Sequence, residues 1–307
     1  MNTILISGLV NTETTVRVRQ FPIEYYPIDY PFFGVDTAVS GVAWNVARAL
    51  GTLGDEVRFL SMTGADFPAD FIRRELELAG VETRHIRKVL RQTPSSVVLY
   101  DGEGRRQIYC DLKDIQEARY GFGPELLDGA DIVAACNINF NRPLLALAKA
   151  AGKKIATDVH VLSDLHDGYN RDFLEAADIL FLSDEGLGED WQGFLWALAH
   201  TYSPEVIVLG RGSKGAGLYL RSENRIFTVP AVRVGEVVNT VGAGDALFSG
   251  FLHYYAKGEH PVEALVRAEL FASAKIGTSG AARGFVGEEE IERLYAIYAD
   301  EIKWNIR

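Results

Sequence analysis

The sequence predicts an α/β fold, a mostly parallel sheet with helices on both faces and a small β-rich lid. Three observations carry this. Short apolar runs alternate with helical periods along most of the chain. Several of the helical segments close on glycine. Two segments, about 14–39 and 93–117, break the alternation with strand- and turn-rich text.

The apolar runs are Thr3–Gly8, Glu56–Ser61, Ile132–Cys136, Lys154–Asp158, Ile179–Ser183 and Val206–Gly210. They are short and almost uniformly apolar, as expected of strands buried on both faces. Helical patterns cover Gly41–Gly51, Asp66–Gly80 and Asn141–Gly152, and glycine is the common residue just past a helix end. Thr93–Lys113 reads as strand, turn (Asp101-Gly102-Glu103-Gly104) and strand, which is a hairpin. Neither interrupting segment has linker composition, so the 307 residues are expected to form one domain, 1–307, with these segments as a lid. The tract Phe21–Phe33 is dense in aromatics and proline. It has three uses open to it: a lid–lid interface between two copies, a stacking surface for a ring or base, or closure of the main core.

Composition narrows the function classes. With 48% apolar and 24% charged residues, the chain can bury a core without covalent staples. Its two cysteines, Cys110 and Cys136, form no disulfide or C-x-x-C pattern and read as reduced packing thiols. That favours a reducing, cytoplasmic setting. The start, MNTILISGLV, is a first strand and not a leader, and no apolar run is long enough for a membrane span. A net charge of −11 argues against nucleic-acid and membrane partners. It does not exclude a small anion held by backbone dipoles. The six histidines show no zinc-ligand spacing.

The most informative segment is Val237–Leu252, VVNTVGAGDALFSGFL. A β-branched run leads through Gly242-Ala243-Gly244 into an apolar helical pattern. Small residues at a helix start let backbone N–H groups converge on one anion, aided by about half a positive charge from the helix dipole. Asp245 falls in the first turn. It can cap the helix, or it can take the proton of a hydroxyl attacking a phosphoryl group bound at the glycines.

Residues 239–245, Asn-Thr-Val-Gly-Ala-Gly-Asp, resemble the D-T-x-G-A-G-D signature of the ribokinase-like (PfkB) carbohydrate kinases. Other matches follow in the family's order. Gly8–Glu13 resembles G-x-x-N-x-D, and Ser40–Ala47 resembles G-G-x-x-x-N-x-A. Gly64-Ala65-Asp66, Thr93 with Asp101–Arg106, Gly212–Gly215 and the alanine-rich Phe271–Gly280 also match. The resemblance implies a Rossmann-like domain with a β lid, often dimeric through that lid. It implies ATP and Mg²⁺, with a monovalent cation in some members, and a small sugar or nucleoside as phosphoryl acceptor, usually at a primary hydroxymethyl. It places Asp245 as base and the amides of Gly242, Ala243 and Gly244 as the anion hole. It places the acceptor on Glu13, Gly41 and Asn45, and ATP along Gly212, Ser213, Lys214, Gly215, Thr240, Ala272 and Lys275.

Three departures stand out. Asn239 replaces the usual acid that helps hold the metal through water. Ser183-Asp184-Glu185-Gly186 replaces the family's N-x-x-E, leaving Asp184 or Glu185 as substitutes. Glu13 is one methylene longer than the usual Asp. Outside the motifs, Asp158 at a strand end faces either the crevice or solvent, and Asp36, Arg105 and Arg106 read as solvated loop charges. The leading expectation is an ATP-dependent sugar kinase. A nucleoside kinase and a ligand-binding regulator on a degenerate kinase fold are the alternatives.

Overall fold

The computed structural model describes residues 2–278, 280–298, 302 and 305–306. The first part of the chain gives β1 (Thr3–Ser7), β2 (Asn11–Arg17), β3 (Val35–Ser40), α1 (Val42–Thr52), β4 (Glu56–Thr63), α2 (Phe67–Leu78), β5 (Ile86–Lys88), β6 (Ser95–Tyr100) and β7 (Arg106–Asp111). Then come β8 (Ile132–Ala135), α3 (Arg142–Ala150), β9 (Lys154–Val161), α4 (Arg171–Ala176), β10 (Ile179–Ser183), α5 (Trp191–Thr201) and β11 (Val206–Gly210). The chain finishes with β12 (Ala216–Leu220), β13 (Arg225–Val229), α6 (Ala243–Ala256), α7 (Pro261–Lys275), α8 (Glu288–Tyr298) and β14 (Asn305–Ile306).

Among the described residues the strands form two sheets. The large one runs β14-β13-β12-β11-β10-β9-β8-β1-β4-β5, and the small one β3-β2-β6-β7. Pairing is parallel from β5 across to β11, then antiparallel through β12, β13 and β14. The apolar runs are buried on both faces, as their composition requires. In β1, Ile4 and Ile6 enter one core with α1, α6 and α7, while Leu5 enters the other with α3, α4 and α5. The order reverses between β1 and β8, which in open α/β sheets is where a ligand crevice opens beyond the carboxyl ends of the strands.

Helix α6 is buried over most of its circumference, from Ala246 to Tyr254. It lies between α1, α7 and the sheet. Gly250 lets it approach α7 closely, since a Cβ there would stand 3.0 Å from Ala268 Cα. Phe181 of β10 packs edge-on against Phe248 and Phe251, with ring centroids 4.9 and 5.3 Å apart. That seam fixes α6 on the sheet.

The structure amends several sequence expectations. The small sheet begins at Asn11, and residues 18–34 are an irregular loop between β2 and β3. Its aromatics do not close the main core: Tyr25, Tyr30, Phe32 and Phe33 are exposed. Cys110 is exposed on β7 and is no packing thiol, because every residue of that edge strand faces out of the core. The alanine-rich helix stops at Lys275, and Ile276–Gly277 turn away ahead of Gly280. The β12–β13 hairpin was not anticipated. None of the helices among the described residues is long and apolar enough to cross a membrane.

Phe181→Ala should cost on the order of 3–5 kcal/mol of stability, as for other buried Phe truncations, read as a lower urea midpoint with an unchanged m value.

Candidate active site

The site is assembled at the sheet's switch point from loops at the carboxyl ends of its parallel strands. Gly8 and Cys136 follow β1 and β8 there, so close that a Cβ on Gly8 would stand 2.6 Å from Cys136 Sγ. Burial, and next the Asp245 carboxylate, push the Cys136 thiol up. Asp245 therefore stands over the switch point. It occupies the first turn of α6, behind a left-handed Gly242 with φ 80°. No other residue type fits at 242: the φ is unfavourable, and a Cβ would lie 2.5 Å from the Ala281 carbonyl oxygen.

Asp245 does not cap its own helix, since no side chain caps α6. Its Oδ2 instead accepts from Asn45 Nδ2 of α1 at 2.7 Å. Burial pushes this carboxyl up to about 6. The Asn45 bond, His160 and Lys275 work against that rise, and Asp158 adds to it. Asp158 therefore lies within electrostatic reach of Asp245. So does His160, two residues on, in a left-handed conformation (φ 60°) with its N–H on Asp158 Oδ1 at 2.8 Å.

The amides of the glycine loop are unequal. Ala243 N donates to Thr240 O at 3.2 Å, so it is engaged within the turn. Among the described residues, Gly242 N and Gly244 N have no protein acceptor and are free for an anion. This narrows the three-amide anion hole expected from the sequence to two donors. Thr240 is exposed beside it.

From Asp245 a chain of contacts leads to the small sheet. Asn45 lies one helical turn beyond Gly41, whose φ is 106° and whose Cβ, if present, would meet the Leu9 carbonyl oxygen at 2.5 Å. Ser40 Oγ donates to Glu13 Oε2 at 3.2 Å, joining β3 to β2. Burial raises the Glu13 carboxyl, opposed by hydroxyls of Ser40 and Ser96 and by the charge of Arg106. The buried Oδ1 atoms of Asn45 and Asn11 have no partner among the described residues. Both are acceptors waiting for a donor such as a sugar hydroxyl. Asn11 lies inside the Gly8–Glu13 motif, where the sequence alone gave it no separate role.

On the opposite flank, Gly212–Lys214 form a short turn after β11, with Gly212, Ser213 and Lys214 exposed. Gly215 N closes the turn on Gly212 O at 3.0 Å. Ala272 is half-buried on α7. Lys275 departs from its expected place on the nucleotide: it is fully buried, and its Nζ donates to Gly280 O at 2.8 Å. Asp36 pairs with Arg283 at 3.5 Å, and Arg105 with Asp101 at 2.8 Å, so both are structural loop charges.

Two of the residues expected near the metal have protein partners. Asn239 Oδ1 accepts from Val241 N at 2.8 Å and shapes its own turn. Asp184 lies 3.7 Å from Arg211 Nε, and the Arg211 guanidinium lies 4.2 Å from the Trp191 ring centroid. Among the described residues no three His, Cys, Asp or Glu side chains converge as metal ligands. These residues do not form a protein cage for a divalent ion. Arg211 and His160 are crevice residues that the sequence reading passed over. Arg211 directly follows β11, and His160 is the next-to-last residue of β9.

Fold and site together define a phosphotransferase of the sugar-kinase type. The chain belongs to the pfkB family of carbohydrate kinases, whose signature it matches over residues 12–286. It is 28% identical over 287 residues to an ATP-dependent ribose-1-phosphate kinase of Halopiger xanaduensis, covering 91% of this chain and 93% of that one. It is 25% identical over 271 residues to the fructosamine kinase FrlD of Bacillus subtilis, covering 87% and 92%. Among solved structures, the microbiome-derived acarbose kinase Mak1 superposes with a TM-score of 0.85 at 25% identity, covering 96% of this chain and 99% of that one.

The Asn45–Asp245 bond sets a test. It holds the carboxylate in its charged form, so removing the donor should raise the carboxyl's proton affinity further. Asn45→Ala should move the acid limb of the activity–pH profile to higher pH; an unshifted limb would show the bond to be immaterial.

Proposed function

We propose that this protein transfers the γ-phosphoryl group of ATP to a hydroxyl of a small sugar or sugar-like alcohol, with Asp245 as general base. The observation that carries the reading is the Asp245 carboxyl, held at 2.7 Å by Asn45 and pushed up to about 6, beside the free amides of Gly242 and Gly244. A base with that proton affinity is ionised at neutral pH yet strong enough to accept a hydroxyl proton in the transition state.

The acceptor lies between the small sheet and α6, on Glu13, Asn11, Gly41 and Asn45. Its hydroxyl gives its proton to Asp245 as the oxygen attacks γ-phosphorus. The bond from γ-phosphorus to the bridging oxygen breaks and ADP leaves. Negative charge on the phosphoryl oxygens meets the amides of Gly242 and Gly244 at the positive end of α6. ATP lies along 212–215, Thr240 and Ala272. It enters as its Mg²⁺ complex, which suits a site without a carboxylate cage because magnesium commonly rests on substrate phosphates. Closure of the small sheet over the acceptor excludes water, limiting loss of ATP to hydrolysis.

The reading extends to a cytoplasmic homodimer formed through the lid. Its support is the exposed apolar surface of the 18–34 loop, with Tyr25, Ile28, Tyr30, Phe32 and Phe33, and of β7, with Ile108 and Tyr109. Light scattering should give twice the chain mass, and a monomer at micromolar concentration would remove this part.

An ADP-release screen across pentoses, hexoses, polyols, sugar phosphates and nucleosides should reveal the acceptor. With it in hand, Asp245→Asn should lower kcat by about 10²–10⁴-fold, the usual range for a general base. The same variant should melt at or above the wild-type temperature at pH 7.5. The folded carboxyl keeps its proton up to about 6, whereas the unfolded one releases it near 4. Ionisation therefore removes stability as pH rises through that window, and asparagine escapes the loss. Near-wild-type turnover would eliminate the base.

A further inference from the structure

Lys275 is the buried charge that phosphoryl transfer as described leaves unused. It ends α7 with no exposed surface, and among the described residues no carboxylate lies within ion-pair distance. A buried ammonium without a counter-ion is costly unless something depends on its charge. Its one acceptor here is the Gly280 carbonyl at 2.8 Å. It also sits in the last turn of a helix, where the carbonyl end of the dipole favours a cation.

The surroundings connect this charge to the anion loop. The Ile276 carbonyl accepts from Val238 N at 2.9 Å and from Asn239 N at 3.1 Å, so the turn after Lys275 carries the strand leading into the glycines. Next to Gly280, the Ala281 carbonyl lies so close to Gly242 that a Cβ there would stand 2.5 Å from its oxygen. The Lys275–Gly280 bond joins the two places. Burial lowers the proton affinity of the amine, and Asp245 restores part of it, which places the two charges within electrostatic reach. An ammonium held on a main-chain carbonyl supplies the same charge there as a bound ammonium ion would.

We propose that Lys275 is a tethered monovalent cation: its ammonium, through the Gly280 carbonyl, holds Ala281 against Gly242 and supplies fixed positive charge beneath the anion loop, so that turnover needs no added K⁺ or Na⁺. Lys275 is on this view a positioning residue, acting through the loop amides and not by contact with substrate. The inference rests on the phosphotransfer reading above.

The test uses the full chain, ATP as its tetramethylammonium salt, MgCl₂ and the acceptor found by the ADP-release screen. Wild-type kcat should change less than about twofold when KCl or NH₄Cl replaces tetramethylammonium chloride, because the ammonium of Lys275 already supplies the charge. Lys275→Ala should lose on the order of 10²-fold in kcat, comparable to loss of one charge-stabilising donor, with both KM values nearly unchanged. NH₄⁺ or K⁺ should restore about tenfold or more of that loss, while tetramethylammonium, too large for the space, should not. Lys275→Met, neutral and of similar volume, should lose kcat and gain nothing from any cation. Wild type that turns over only with added K⁺ overturns the inference, as does wild-type kcat in Lys275→Met. A folded Lys275→Ala that no small cation restores also overturns it. Should Lys275→Ala not fold, Lys275→Met and the wild-type salt comparison decide. Wild type inert toward every acceptor would instead overturn the phosphotransfer reading, and this inference with it.

Discussion

The contact from Asn45 Nδ2 to Asp245 Oδ2, 2.7 Å long, is the constraint around which the site is arranged. A carboxylate placed over an apolar switch point would protonate and lose its use as a base. One placed in water would be too weak a base to assist a hydroxyl. Burial raises this carboxyl, Asn45 and more distant His160 and Lys275 restrain the rise, and the result is about 6. The restraint exists only because α1 packs on α6 and brings Asn45 into reach. Asn45 in turn is placed by Gly41, the one residue that can start α1 against the Leu9 carbonyl. A helix start, a helix crossing and a proton affinity are thus one structural decision.

The parallel sheet determines where everything else gathers. Its strands end on one edge, and the reversal between β1 and β8 opens the crevice there. Both chain crossings between the large sheet and the β2–β3 part of the small one pass this point, through Gly8–Val10 and through Gly41. On the proposed reading the small sheet joins the large one on the acceptor side of Asp245. The nucleotide side, on the same reading, is built from separate loops after β10, β11 and β13. Such a division suits an enzyme that must exclude water only once both substrates are in place.

Much of this could be read from residue order. The uniformly apolar runs gave the parallel strands, because burial on both faces leaves no room for alternation. Gly242, Gly244 and Asp245 stood out because small residues ahead of an apolar helix leave its first N–H groups open to an anion, with a carboxylate one turn away. What escaped has physical reasons as well. The β12–β13 hairpin is built on AGLYL and RIFTV, joined through a left-handed Asn224, and its first strand carries a glycine where Trp191 packs close. His160 and Arg211 matter through position at the carboxyl end of a strand, which no residue pattern marks. Only the family resemblance of Phe271–Gly280 places Lys275 on the nucleotide. Its burial depends on the turn at Ile276–Gly277, which ends the helix and folds Gly280 back over the ammonium.

The departures from the family signature change charge more than shape. Asn239 Oδ1 accepts from Val241 N two residues on, the turn that either asparagine or aspartate can form. The loop that presents Gly242 therefore keeps its course without the acid. Asp184 remains an acid, but its nearest cation is Arg211, which is itself stacked on Trp191. On the proposed reading, few free carboxylates stand among the described residues where a triphosphate would lie, and a buried ammonium lies behind the loop. Fewer anions beside the phosphates reduce the repulsion that a triphosphate meets on entry, and the fixed cation substitutes for charge that would otherwise come from solution. A fold decaying into a passive binder would have no reason to keep a carboxyl held between burial and Asn45 while losing acids around it. The Asp245 carboxyl so held, set against the altered periphery, supports the phosphotransfer reading, with electrostatic support supplied from within the chain.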